Sequence, residues 1–320
     1  VEERYEVDYL DELKLYAIDT TPGVRVIAEK PQAPGDGTFG GLDPVVHTIA
    51  QVPSAPLSAV HVQTGDDVLS TIAADDGDML MLNDDRNIGF DYQTIELDLG
   101  DIASAPQVKI AMDAMSMFPD TSEGTSRSAS FGPRTKLEVQ DATGTWVPVD
   151  KTIATLPKAP EFSRPYVFDI TDIWVSDSRK VRFTFLFKTY VDWIAVDTTP
   201  DLPLTFDEVT LSSAELRHHG LDGKSSGEEV YEYVYGPPNE AIGYFPGNYT
   251  RFGDVTPLLE TTDDMFVVYG GGDELALRFD PPAAPAPGTE RSWLMYTNGY
   301  YKDAKVDVTH TVEPMPFAAM

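Results

Sequence analysis

The chain of 320 residues carries 53 acidic against 23 basic side chains, a net charge of −30, with 42% apolar and 11% aromatic residues and no cysteine. That charge repels phosphate backbones and anionic headgroups, which argues against nucleic-acid partners and membrane surfaces. The missing cysteine removes disulfides, thiolate nucleophiles, Fe–S clusters and cysteine zinc sites. No apolar run approaches the roughly 18 residues of a membrane helix, so no membrane insertion is expected. The start shows no basic and apolar leader, and any signal peptide is expected to have been removed.

Asp (34) outnumbers Glu (19), and Lys numbers 11. Such a surplus either supplies hard oxygen ligands for Ca²⁺ or keeps a protein soluble in a salty medium.

The 25 Pro and 24 Gly punctuate the chain at short intervals, and helical periodicity is scarce. Val1 to Asp19 reads as two strands, the second at Glu12–Ile18, and Thr21-Pro22-Gly23 turns into Val24–Ile27. Pro31 to Pro44 is a Pro/Gly-rich connection. Thr94–Leu99 alternates apolar and polar residues, and Gln107–Met112 follows. Thr135–Gln140 and Trp146–Val149 flank the turn Asp141-Ala142-Thr143-Gly144. Tyr166–Ile170, Lys180–Phe187 and Trp193–Asp197 complete a series of short strands. This spacing predicts an antiparallel, jelly-roll-like β-sandwich over residues 45–200. Beyond a linker at Thr198–Pro203, strands are expected at Glu208–Leu211 and Val230–Tyr235. Met265–Tyr269 and Glu274–Phe279 flank Gly270-Gly271-Gly272-Asp273, which reads as a hairpin. Ser292–Thr297 is the last expected strand. The fold class is therefore all-β, with residues 1–44 and 201–320 forming a second β domain into which the sandwich is inserted.

Chemistry has few footholds. None of His47, His61, His218, His219 and His310 lies in a nucleophile or zinc signature. Paired carboxylates are uninformative among so many acids. Asp75, Asp76, Asp78, Asp84 and Asp85 crowd a short segment around Gly77, an oxygen-rich composition that could hold Ca²⁺ but is more simply a solvated loop. Tyr190, Asp192 and Trp193 near the end of the sandwich offer an aromatic platform beside a polar group, as sugar binders do, although packing explains Trp193 more simply. Asn248-Tyr249-Thr250 is a glycosylation sequon at Asn248.

Several segments resemble the C-terminal region of large exported proteins with FG-GAP (integrin-like propeller) repeats and an ASPIC/UnbV segment. They are EVDYLDELKLYAID (Glu6–Asp19), IELDLGDI (Ile95–Ile102), YVFDITDIW (Tyr166–Trp174), VDWIAVDTTPD (Val191–Asp201), YTRFGDVTPLL (Tyr249–Leu259), DDMFVVYGGGDELALRFD (Asp263–Asp280) and TVEPMPF (Thr311–Phe317). The resemblance implies an extracytoplasmic location and transfers no residue roles. Asn298-Gly299-Tyr300 stands where those proteins look more like Asp-Gly-Trp, and the propeller repeats do not occur in these residues.

The expected function is a non-catalytic extracellular β-sandwich module for surface interaction or assembly, with a protein partner or self-association through β edges. The alternative is a calcium-dependent carbohydrate-binding module with a glycan partner.

Overall fold

The computed structural model describes residues 7–29, 45–82, 92–117, 135–149, 163–185, 188–218, 221–224, 231–234, 249–302 and 317–318. Strands in several antiparallel sheets dominate them, and helix is confined to Leu69–Ile72 and a 3₁₀ turn at Thr256–Leu258. None of the described helices is long and apolar enough to cross a membrane. The chain divides into two compact units, Val1–Thr20 with Leu204–Met320, and Thr21–Pro203.

The first strand, β1 (Val7–Thr20), belongs to the discontinuous unit. The continuous unit holds β2 (Arg25–Glu29), β3 (Val45–Ile49), β4 (Ser58–His61), β5 (Asp66–Asp67), β6 (Leu80–Leu82), β7 (Gln93–Asp98) and β8 (Lys109–Met117). It continues with β9 (Thr135–Gln140), β10 (Trp146–Pro148), β11 (Arg164–Asp169), β12 (Lys180–Phe185) and β13 (Lys188–Asp197). The strand β2 pairs with β3 and packs on β11, so the boundary between the units falls after Thr20 and not after residue 44.

Two sheets of the continuous unit face each other, one in the order β10-β9-β12-β7-β4-β5 and the other β11-β8-β13-β6. The period-2 pattern of each strand aims alternate side chains into the space between them. Ile95 and Leu97 of β7 and Val181, Phe183 and Phe185 of β12 meet Ile110 and Met112 of β8, Phe168 of β11, and Ile194 and Val196 of β13. The far side of the first sheet is mostly polar, and there Arg182 makes two bonds to Glu138 at 2.8 and 3.1 Å and lies over the Trp146 ring. The four-stranded sheet is buried on both faces. Its outer face carries Ala111, Val167, Trp193 and Ala195, covered by Ile27 and Ile49 of the β2–β3 hairpin. Double burial accounts for the unbroken apolar run Ile194-Ala195-Val196.

The discontinuous unit continues with β14 (Asp207–Val209), β15 (Leu211–His218), β16 (Leu221–Lys224), β17 (Tyr231–Val234), β18 (Tyr249–Thr250) and β19 (Gly253–Asp254). Its last strands are β20 (Val267–Tyr269), β21 (Asp273–Phe279), β22 (Glu290–Lys302) and β23 (Phe317–Ala318). Here β1 is one continuous strand, not two. A bulge between Leu10 and Glu12 absorbs the expected break, and β22 runs beside it from Val7–Lys302 to Thr20–Glu290. The glycine segment 270–272 is not a hairpin turn. It carries the chain between sheets, because β20 pairs with β1 whereas β21 pairs with β15. Leu13, Leu216, Leu259, Val267 and Leu275 form the core of this unit.

Candidate functional site

The outer face of the four-stranded sheet collects the polar side chains that sequence left scattered. Register places Asp113, Ala111 and Lys109 in line along β8, with β11 on one side and β13 on the other. The Ala111 row is apolar. The rows at either end are charged.

At one end, Asp113 stands between Pro165 and Trp193. A bulge between Val191 and Trp193 leaves Asp192 without a cross-strand partner. That extra residue switches the alternation, so Val191 points into the central core while Trp193 joins the outer face. The Asp192 carboxylate is buried, 5% exposed. It accepts the Gly77 N–H at 3.1 Å and the Asp76 N–H at 3.4 Å. Gly77 adopts φ 84°, a left-handed conformation suited to glycine, and so turns its N–H toward that carboxylate. Asp75 pairs with Arg25, whose guanidinium lies 4.5 Å from the centre of the Trp193 ring.

Two groups expected at separate sites, the acidic loop and the Asp192-Trp193 pair, therefore share one place. Trp193 is 8% exposed and one of its faces already carries Arg25. Asp78 caps the same loop by donating its N–H to Asp76 at 3.0 Å. Tyr190 lies on β13 opposite Met115 and Met81. Burial pushes the Asp113 carboxyl up; a hydrogen bond from Ser163 opposes this, and the charges of Asp75 and Asp192 add to it. Among the described residues, no group of three or more His, Asp or Glu side chains is arranged to hold a metal ion. Asp84, Asp85 and Asn248 lie outside the described residues.

At the other end, Lys109 stands between Asp169 and Asp197 and is wholly buried. Its Nζ lies 2.9 Å from Asp201 Oδ1 and 3.3 Å from Asp197 Oδ2, and it donates to the Thr48 carbonyl. Asp201 also accepts the Thr48 N–H at 2.7 Å and the Gln107 side-chain amide at 3.0 Å, with His47 Nδ1 2.8 Å away. Burial pushes Asp201 up, but the bonds from Lys109, Thr48, His47 and Gln107 outweigh it and hold the carboxyl well below the ordinary range. Asp197 accepts the Ala50 N–H, the Thr199 N–H and the Thr199 hydroxyl. Gln107 also donates to Asp169 at 2.8 Å, so the network joins β8, β11, β13 and the segment after β3.

This second cluster was not foreseen, since its members lie far apart in sequence and match no motif. The available signal was Asp197-Thr198-Thr199-Pro200-Asp201, in which Asp197 accepts from Thr199 two residues on, an Asx turn that presents both carboxylates.

Comparison with models of known protein families, with curated proteins and with solved structures returns no match.

Proposed function

We propose that the chain is a non-catalytic extracellular module for surface interaction or assembly, built on a jelly-roll-like sandwich and a second β unit. The observation that carries this reading is the edge formed by β22. Among the described residues this strand, thirteen residues long, pairs with β1 alone. Trp293 and Met295 on it are each 49% exposed. The outer strand of a sheet is where another strand can add, and natural proteins commonly blunt such edges. Topology supports the jelly-roll element. Each connection from β7 to β13, except β9 to β10, crosses from one sheet to the other. The likeness to exported FG-GAP and ASPIC/UnbV proteins supports an extracytoplasmic location. Light scattering on the native protein tests the assembly reading, with a regular multimer or a captured protein partner as the expected result. A monomer at all concentrations that captures no partner from its source's surface fraction overturns it.

A carbohydrate-binding module, expected from sequence to be calcium-dependent, is the second reading, favoured by the polar side chains of Asp192 and Arg25 gathered at Trp193 and not by any metal-holding arrangement among the described residues. Sugar would reach the indole only with Arg25 displaced. A glycan array in calcium, without a hit, removes this reading.

A further inference from the structure

We propose that Lys109 and Asp197 are joined by an intramolecular isopeptide bond, a cross-link that the folded chain makes on itself. The inference goes beyond the assembly reading and does not depend on it. The condensation needs an amine and a carboxyl group held together away from water and a proton carrier beside the amine, and all three are present. Lys109 is 0% exposed and Asp197 is 1% exposed. They sit directly opposite each other on β8 and β13, with Nζ 3.3 Å from Asp197 Oδ2. Asp201 supplies the third group, its Oδ1 2.9 Å from Nζ.

The step balances without an oxidant, a reductant or a co-reactant. The Asp201 carboxylate takes a proton from the Lys109 ammonium and passes it to an Asp197 oxygen. The freed lone pair on Nζ adds to Asp197 Cγ, forming the C–N bond and moving the carbonyl pair onto oxygen. Collapse of the tetrahedral centre breaks one C–O bond. That oxygen leaves as water with two of the three ammonium protons, and the third stays on the amide nitrogen. Hence an ammonium and a carboxylate become one amide and one water.

The surroundings suit this course. The Ala50 N–H points at Asp197 Oδ2 from 3.0 Å. The Thr199 N–H and hydroxyl point at Oδ1 from 2.9 and 2.7 Å. These donors stand where negative charge builds up in the tetrahedral intermediate. Asp201 Oδ1, 2.9 Å from Nζ, is in reach of the ammonium proton that has to leave first. The Thr48 carbonyl, which now accepts from Nζ, is placed to accept the remaining amide N–H. Exclusion of water suppresses the reverse hydrolysis. The product also replaces a buried ion pair, whose desolvation is costly, by a neutral group. A chain without cysteine has no disulfide to close such a loop.

Intact-mass spectrometry of the full chain under denaturing conditions tests the proposal. The expected mass is one water below that of the sequence, with fragmentation showing the peptide of Lys109 attached to that of Asp197. A mass equal to that of the sequence overturns it, and so does a missing water that maps elsewhere, such as a succinimide at Asp76-Gly77. Asp197→Asn is expected to close as well, losing ammonia in place of water. Asp201→Asn is expected to show the full uncondensed mass while circular dichroism still reports the β fold. Closure in Asp201→Asn at the wild-type extent overturns the role given to Asp201.

Discussion

The Glu29 carboxylate at the end of β2 accepts the backbone N–H of Val167 in β11 at 2.9 Å, fastening the hairpin to the outer face of the four-stranded sheet. Burial pushes this carboxyl up to about 7, with the Val167 bond and the Arg164 charge opposing the shift. The folded chain therefore keeps a proton that the unfolded chain has lost above its ordinary value of 4.5. Stability from this group is fully present below that value and is lost as pH rises through about 7. The loss amounts to about 3 kcal/mol. Thermal unfolding of the wild type is expected to show Tm falling between pH 5 and 8 by several degrees, about what that loss implies. Glu29→Gln is expected to flatten that limb. Asp169 and Asp201, both held below the ordinary range, lose their contribution only at lower pH and leave this window untouched. A wild-type Tm constant across the window refutes the assignment.

Lys109 gives a second prediction. Substituting Met removes the Lys109 nitrogen, and with it both the proposed cross-link and the ammonium from which the link forms, and leaves the Asp197 carboxylate, 1% exposed, with no cation beside it. Removing one partner from a buried pair costs about 3–5 kcal/mol, whereas removing both charges costs less. Lys109→Met is thus expected to lower the urea midpoint sharply, and Lys109→Met with Asp197→Asn to recover part of the loss. Equal midpoints for the single and double variants would show that the two groups do not share a network.

How far this was legible in the sequence depends on whether a residue's partner is local. Alternation in Thr94–Leu99 and Lys180–Phe187 located β7 and β12, because one face of each meets a core and the other meets water. The break read near Asp11-Glu12 was false. Both side chains are buried, but Asp11 accepts the N–H groups of Asp263 and Asp264, and Glu12 pairs with Lys14 and Thr262. A charged pair satisfied from far along the chain looks, in sequence, like a loop. Gly270–Gly272 misled for a related reason. Permissive backbone marks a change of direction without saying which sheet receives the next strand. Asp192 and Gly77 each stand out in the sequence, yet a separation of 115 positions hides the bond that makes them one site.

At Gly299 the expectation is steric. A Cβ there would press on the Tyr9 carbonyl and the Leu10 Cα, both backbone atoms, opposite the bulge in β1. The neighbouring rings of Tyr9 and Tyr300 stack at 4.6 Å, with Phe266 edge-on to both, so little room exists to retreat. Gly299→Ala is expected to destabilise the discontinuous unit by about 1–3 kcal/mol. Hydrogen exchange should show faster exchange at β1 and β22 while β7 and β12 keep their protection. Unchanged protection at β1 would mean that the two strands separate there without cost.

The β22 edge supports a test that separates assembly from stability. Trp293 and Met295 alternate along one side of the strand beside Arg291, which holds Asp19 through two bonds at 2.7 and 2.8 Å. Both apolar side chains are half exposed and half buried, and Trp293 also lies beside the Arg291 guanidinium, so replacing each is expected to cost about 1–3 kcal/mol of stability. Lysine at an edge opposes strand addition, since a pairing chain would have to desolvate the ammonium. Trp293→Lys with Met295→Lys is therefore expected to convert any assembly to the monomer, or to abolish partner capture, under conditions where circular dichroism still reports the β fold. Net charge bears on the partner. Two copies of a chain at −30 repel each other at low ionic strength and much less once salt screens them. Self-association through β22 should then strengthen with added salt, whereas capture of a basic partner should weaken. An assembly that survives both lysines is held by some other surface.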